Sequence, residues 1–368
     1  MFKSTSYNEY IHDSLYEEIK EFPPEWFDKK YTDTPDDSIV MFMEGIPKQY
    51  VKGNRTFIVK TNDIHYFNEK RKSDLMYAFA NADYVIGPYM NTLQTLYGIK
   101  AENVKKFDHS VAVRFQAPSI NMSPEPKIFM FGATSHHYPF RQRFKELMNG
   151  KDSFVLLDHP GYKTSVQTLH SHIELRKYLC SYTTSLFPVF EKSADDHAHY
   201  FIGKFFEIMA SGVLLLTTDT HIRKQMETLG FFRDVHYVHV DLTDEKAVYD
   251  KMDFILNPEN RKWVDKIRST AWEKCMKEHT SVVRCAQIMK WVRSLTPKGA
   301  LPEAGNDGVM EVRKIQSLEN KEYVINGLDS KEESVGGDSG AERLAAAAAG
   351  ISRVSDSSDI SCNMARRE

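Results

Sequence analysis

A lysine and a glutamate lie one helical turn apart in the stretch GKFFEIMASGVLLLT, residues 203–217. If this run is helical, Lys204 and Glu207 share one face of the helix. Such a pair can form a local ion pair that contributes about 0.2–0.5 kcal/mol. It can also bind a ligand, because an ammonium group attracts phosphate and a carboxylate accepts hydrogen bonds from hydroxyl groups. The pattern by itself favours the local ion pair.

A second group with possible chemistry occurs in GATSHHYPFRQR, residues 132–143. Gly132 allows the backbone to approach a ligand closely, and His136, His137, Arg141 and Arg143 stand at the start of the helix that follows. A helix N-terminus with guanidinium groups is a favourable anion site. The alternatives are that the arginines are solvated surface charges and that one of the histidines is buried and hydrogen bonded.

A third group, ADDHAH at residues 194–199, offers ligands for a metal ion. Asp195, Asp196, His197 and His199 are suitable residue types. Adjacent carboxylates on a loop are usually solvated, however, and the sequence offers no second cluster to complete a site. It also contains no Asp-x-Asp triplet. We therefore expect no bound metal and no cofactor.

Alternating strands and helices must position these residues. Residues 127–296 read as a parallel sheet with helices on both faces, that is, a Rossmann-like domain, because short apolar runs alternate with amphipathic ones. The predicted strands are KIFMF, SFVLL, YTTSLF, VLLLT and VHYVHV. The predicted helices are YPFRQRFKELMNG, HSHIELRKYLC, residues 200–210 and 221–229, TDEKAVYDKMDFIL with a Thr cap, and residues 259–277 and 281–294.

The first part of the chain indicates a smaller α/β domain. Its predicted strands are SIVMFM, TFIVK and ADYVIG, and its predicted helices are SDLMYAFANA and YMNTLQTLYG. The stretch APSINMSPEP reads as a linker. We therefore predict one domain at 1–115, a second domain at 125–296, and a cleft between them, which is a favoured place for a ligand.

Composition narrows the class of protein. A formal net charge of -3 over 368 residues gives no electrostatic reason to expect nucleic acid. The cysteines show no CxxC spacing, so a reducing, cytoplasmic compartment fits best. No run of 18 apolar residues and no signal-peptide pattern occurs, so no membrane span is expected. Residues 297–368, rich in Ser, Gly, Asp and Ala, read as a disordered tail or an expression remnant.

The motifs together resemble a known family. GKFFEIMASGVLLLTTD is similar to the motif of GT-B glycosyltransferases, and especially of the CgeB-like group, in which a basic residue, a Glu and a small-residue pair precede an apolar strand. IFMFGATSHHYPFRQRFKELM resembles the first strand and helix of their second domain, with a YPxR arginine at Arg141. ADYVIGPYMNTLQTLYGIKAENVKKFDHSV resembles the end of their first domain. The likeness covers residues 80–295 and extends, more loosely, to capsid-decorating glycosyltransferases of large algal DNA viruses, including a xylosyltransferase.

This resemblance implies a nucleotide-diphosphate sugar donor, UDP-linked, and a glycan acceptor. The domain at 125–296 would bind the nucleotide sugar, and the domain at 1–115 would bind the acceptor. The resemblance also implies that Glu207 binds the ribose, while Lys204 and Arg141 hold the diphosphate in place of a metal. From their position in the sequence, we expect Gly132 and His136 to line the same donor site. Retaining members often have a second Glu eight residues before Glu207, and here that position is His199. Inversion is therefore favoured.

An inverting transferase needs a general base for the acceptor hydroxyl. VKTNDIHYF follows a predicted strand of the first domain and offers His65 as the first choice, with Asp63 as its orienting partner or as the base itself. Glu44 and Asp74 are alternative bases, and each of these residue types is more often a cap or a surface charge.

The alternative functions are an epimerase or phosphorylase, and a degenerate transferase that only binds glycans or a partner.

Overall fold

The computed structural model describes residues 39–43, 45–46, 48, 52–61, 69–89, 93–94, 97–134, 138–157, 171–186 and 201–295. By its contacts the chain divides into two compact units, Met1–Ala300 and Leu301–Glu368. All of the described residues belong to the first unit. The predicted tail at 297–368 lies outside the described residues, and the predicted domain boundaries stay predictions.

The first sheet has four parallel strands in the order β1-β2-β3-β4. They are β1 (Ile39–Met43), β2 (Thr56–Lys60), β3 (Tyr84–Gly87) and β4 (Val104–Lys106), and helix α1 (Glu69–Asn81) connects β2 to β3. Leu75 and Phe79 of α1 pack on Val59 and Val85 of the sheet. The first three strands were predicted from their apolar runs. The fourth was not, because two of its three residues are exposed lysines.

The second sheet has five parallel strands in the order β6-β5-β7-β8-β9. They are β5 (Glu125–Phe131), β6 (Phe154–Leu157), β7 (Tyr178–Tyr182), β8 (Leu214–Thr217) and β9 (Val238–His239). The helices of this part are α2 (Pro139–Met148), α3 (Ser171–Leu175), α4 (Lys204–Ala210), α5 (Arg223–Thr228), α6 (Glu245–Leu256) and α7 (Arg261–Glu278). Strand β5 lies at the topological switch point, since its two neighbours follow it in the chain on opposite sides.

Alternating side chains of this sheet build two cores. Phe129 and Phe131 of β5 point to the face covered by α4, where they pack with Phe205 and Ile208. Met130, between them, points to the opposite face, which is covered by α2 and α6. Because both faces are buried, the strands read as continuous apolar runs in the sequence.

Two local predictions were wrong. The strand predicted at YTTSLF lies earlier in the chain, at Tyr178–Tyr182, because Leu179 and Cys180 are the residues that fill the core. The helix predicted over that stretch therefore ends at Leu175. The cap of α6 is Asp244 rather than Thr243, since the Asp244 side chain accepts a hydrogen bond of 3.1 Å from the Ala247 N–H.

The last described helix, α8 (Ser281–Leu295), leaves the second sheet and covers the first. Ile288 and Val292 pack on Ile58 of β2 and Ile86 of β3. The two sheets are therefore joined by a helix that follows all the strands of the second. With two parallel sheets that carry helices, the predicted α/β class with two Rossmann-like units is confirmed. None of the helices in the described part of the chain combines the length and apolar character that crossing a membrane requires.

Candidate functional site

Gly132, the residue after β5, is the point at which two cationic side chains converge. Its φ is +91°, a conformation that residues with a side chain rarely adopt. A Cβ atom placed there would lie 2.7 Å from Lys204 Cε, 3.1 Å from Lys204 Nζ and 3.2 Å from Arg141 Nη2. The bare backbone thus leaves room for an ammonium and a guanidinium group to meet beside the carboxyl end of β5.

Arg141 is buried, with a relative exposure of 1%, and is not a solvated charge. Its Nη1 donates to the carbonyl oxygen of Ala133 at 2.9 Å, and its Nη2 donates to that of Phe131 at 2.6 Å. The guanidinium also lies 4.8 Å from the centre of the Tyr138 ring. Arg141 therefore fixes the backbone on both sides of Gly132. Arg143, two residues later, is exposed, as expected of a solvated charge.

Lys204 begins α4 and is partly buried, and its Nζ lies 4.2 Å from the centre of the Phe131 ring. The pKa of Lys204 is lowered to about 8, chiefly by burial; Glu207 acts to raise it, and the charges of Arg141 and Arg114 act to lower it. An ammonium group held in this way gains stability when an anion arrives, because the anion removes part of the desolvation and repulsion cost.

Glu207 lies one turn further along α4 and is partly buried. Its carboxylate acts on Lys204 electrostatically, since it raises the pKa of that lysine. The neighbouring residues Phe205, Phe206 and Ile208 are fully buried and anchor the helix in the core. The structure thus holds Lys204 and Glu207 on the polar side of an otherwise buried helix.

Arg114 is a cationic residue of this region that sequence reasoning missed. It lies in the 3₁₀ turn Val113–Phe115, in the connection between the two sheets. Its backbone carbonyl accepts a hydrogen bond of 2.7 Å from Arg176 Nη2. No motif marks VRF in the sequence, so only the tertiary structure shows that its charge reaches Lys204.

A buried charge network at the ends of β8 and β9 was also missed. Asp219, fully buried, accepts hydrogen bonds from Arg233 Nε at 2.7 Å and Tyr237 Oη at 2.6 Å, and its carboxylate lies 2.7 Å from His239 Nδ1. Burial would raise the pKa of Asp219, but the bonds from His239, Arg233 and Tyr237 outweigh it and hold the pKa below its usual range. The carboxylate is thus ionised and acts as an acceptor.

Several predicted site residues fall outside the described residues. These are the candidate bases Asp63, His65 and Glu44, the donor-site histidines His136 and His137, and the acidic stretch at 194–199. Asp74, the remaining rival base, is exposed on α1. Within the described ranges, no three His, Cys, Asp or Glu side chains are grouped so that they could hold a metal ion.

The second parallel sheet thus carries cationic side chains at the carboxyl end of β5, and comparison with known proteins indicates the class of this α/β unit. Residues 141–290 match a family model described as glycosyl transferase-like. This match covers Arg141, Lys204, Glu207 and the Asp219 network. It supports the prediction that the chain is a glycosyltransferase. No curated protein matches the chain significantly.

Solved structures resemble the chain at low identity. A glycosyltransferase from Rickettsia africae shares 14% identity over 81% of this chain and 84% of its own, with a TM-score of 0.47. The Anabaena protein HepE in complex with UDP-glucose shares 14% over 66% and 73%, with a TM-score of 0.45. Sucrose-phosphate synthase from Thermosynechococcus elongatus shares 12% over 67% and 69%, with a TM-score of 0.43. At these scores the resemblances add no argument about substrate.

Proposed function

We propose that the chain transfers a sugar from a UDP-linked donor to a hydroxyl group of a glycan acceptor. The observation that carries this proposal is the convergence of Lys204 and Arg141 on Gly132 at the switch point of the second sheet. Ligands of open α/β sheets bind beyond the carboxyl ends of the strands at such a point. The converging groups are cationic, so the ligand part that fits them is anionic, as a diphosphate is.

Lys204 is the group that binds the diphosphate in this mechanism. Its ammonium compensates the negative charge that develops on UDP as the bond to the sugar breaks. Arg141 adds positive potential and keeps the Gly132 backbone in place through Phe131 and Ala133. Glu207 accepts hydrogen bonds from the ribose hydroxyl groups. A cationic pocket of this kind supports departure of UDP without a metal ion.

The acceptor binds against the first sheet. Its hydroxyl oxygen attacks the anomeric carbon, a general base takes the hydroxyl proton, and the bond between that carbon and the phosphate oxygen breaks. A single displacement inverts the anomeric configuration. The proposed base is His65, with Asp63 as its orienting partner or as the base itself. Xylose is the proposed sugar, a capsid-type glycan the proposed acceptor, and the cytoplasm the proposed location.

The first test is binding of nucleotides to the full chain by isothermal titration calorimetry. We expect UDP and UDP-sugars to bind, and Lys204→Ala and Glu207→Ala each to weaken binding at least tenfold. Lys246→Ala is the matched control, because that lysine is exposed on α6 and far along the chain from the site. Unchanged UDP affinity in both site variants would remove the assignment.

The second test separates binding from turnover. We expect His65→Ala to lower the rate of sugar transfer at least a hundredfold while UDP-sugar affinity stays within twofold, because a general base acts on the acceptor and not on the donor. Product anomers resolved by NMR report inversion or retention. Binding of UDP without turnover of any donor would instead favour a degenerate transferase, and dependence on inorganic phosphate would favour a phosphorylase.

A further inference from the structure

His239 ends β9 on the same face of the sheet as Lys204. In register it is paired with Thr217 of β8, and paired residues of parallel strands point to one face. Thr217 follows Leu216 of the opposite face, and Thr183 lies beside Thr217, since its N–H donates to the Leu216 carbonyl. A polar row therefore runs along this edge from the end of β5 to His239.

The middle of this row consists of the hydroxyl groups of Thr183 and Thr217. Thr183 and Thr217 are both fully buried, and neither hydroxyl oxygen has a hydrogen-bond partner among the described residues. An unsatisfied buried hydroxyl costs roughly 1–3 kcal/mol. Thr183 and Thr217 lie side by side at the carboxyl ends of their strands, so a polar ligand group at this edge would lower that cost.

The ring of His239 is held in one orientation. Its Nδ1 lies 2.7 Å from an oxygen of Asp219, and Arg233 and Tyr237 donate hydrogen bonds to the same carboxylate. The Asp219 N–H also points at Nδ1, at 3.4 Å, but the carboxylate contact is much shorter. Because an ionised carboxylate only accepts hydrogen bonds, the atom that meets it at 2.7 Å carries the hydrogen, and that atom is Nδ1. In the neutral ring, Nε2 is then an acceptor. The side chain keeps a relative exposure of 23%, so the ring is accessible to a ligand.

Spacing decides which part of the ligand reaches His239. The end of β9 lies three strand positions from the end of β5, about 14 Å at roughly 4.8 Å per strand. A sugar ring bonded directly to the second phosphate extends only part of that way from Lys204. The nucleoside, which follows a further phosphate and a ribose, extends further. The base is the part of a nucleotide that fits the far end of the row.

We propose that His239 reads the nucleobase, with Nε2 accepting a hydrogen bond from the N3–H of uracil. This inference rests on the proposed function, because it places the diphosphate at Lys204. Cytosine has an acceptor at N3, so it cannot make this bond. Adenine likewise presents an acceptor at the centre of its pairing edge. His239 is therefore a specificity residue that selects uridine nucleotides over cytidine and adenosine nucleotides, and Asp219 is its positioning residue.

Two isosteric substitutions separate this role from a structural one. The amide of asparagine reaches the position of Nδ1 and retains the bond to Asp219, but it lacks the outward group. The amide of glutamine reaches the position of Nε2 and retains an outward acceptor. We expect His239→Asn to weaken UDP binding about tenfold and to reduce the preference for UDP over CDP by a similar factor. We expect His239→Gln to keep that preference within threefold.

Calorimetry with UDP, CDP and UDP-glucose, on the full chain, gives the outcome. An unchanged ratio of UDP to CDP affinity in His239→Asn, with UDP still bound, overturns this inference alone. A loss of affinity for UDP-glucose without a loss for UDP also overturns it, since His239 would then contact the sugar. If wild-type protein binds no nucleoside diphosphate, the proposed function itself fails, and this result is distinct from the other two.

Discussion

The ammonium nitrogen of Lys204 lies 4.2 Å from the centre of the Phe131 ring. A lysine at the start of a helix and an aromatic residue at the end of a strand are thus in contact across 73 residues of chain. The ring face attracts the cation, which contributes about 0.5–2 kcal/mol, and holds it at the carboxyl end of β5. Lys204 therefore has a fixed place beside Gly132, and several measurable consequences follow from that place.

Substitution of Gly132 by alanine is expected to destabilise the protein and to weaken UDP binding at least tenfold. The new Cβ would lie 2.7 Å from Lys204 Cε, so the lysine must move. Gly150→Ala is the matched control, because Gly150 also has a positive φ, +78°, but no atom within 4 Å of the added Cβ. The control carries only backbone strain, about 1–2 kcal/mol. Equal UDP affinities in the two variants, measured by calorimetry, would contradict the site geometry.

The affinity for UDP is expected to fall as pH rises through about 8, the pKa to which burial lowers Lys204. The protonated amine binds the diphosphate, and it loses its proton above that pH. Calorimetry from pH 6.5 to 9.5 checks this, with Lys204→Met as the control that removes the dependence. A flat profile for the wild-type protein would show that another group carries the charge.

The free energy of unfolding of the unliganded protein is expected to rise with pH because of Lys204, whereas the affinity for UDP falls. The folded pKa of Lys204 is lower than the unfolded value of 10.5, so the unfolded chain binds more protons between the two values. The cost of the buried charge is fully present below about pH 8 and is relieved as pH rises towards 10.5. Lys204→Met is therefore expected to raise the free energy of unfolding at pH 7 by about 1–2 kcal/mol, as replacement of a strained site residue often does. Urea denaturation checks this.

Arg141→Met is expected to lower the free energy of unfolding by about 2–4 kcal/mol. It leaves the carbonyl oxygens of Phe131 and Ala133 without their donors in a buried place. Arg143→Met, two residues away on the exposed side of α2, should change stability by less than about 0.5 kcal/mol. Urea denaturation of both variants tests the assignment. Equal stabilities would mean that the Arg141 bonds contribute nothing.

The fold was largely predictable because apolar runs and helix periodicity are local signals. The long helices and the strands β1 to β3, β5, β6 and β8 were found in this way. The short strand β4 was not found, because two of its three residues are lysines and VKK does not stand out from a loop. The bounds of β7 were placed too late, because the Ser- and Thr-containing residues on both sides of its end look alike in the sequence. Pairing with a neighbouring strand, which is a tertiary interaction, decides such boundaries.

The sequence by itself determined the residue types of the candidate site and the alternation of strands and helices that brings them to one edge. Only the tertiary structure decided how these side chains act. In the fold, buried Arg141 donates hydrogen bonds to two carbonyl oxygens, and the Lys204 ammonium packs on the Phe131 ring. Asp219, after β8, contacts His239, at the end of β9. The reason is physical: periodicity reports which face a residue occupies, whereas burial, charge and hydrogen-bond partners depend on neighbours that are distant in the chain.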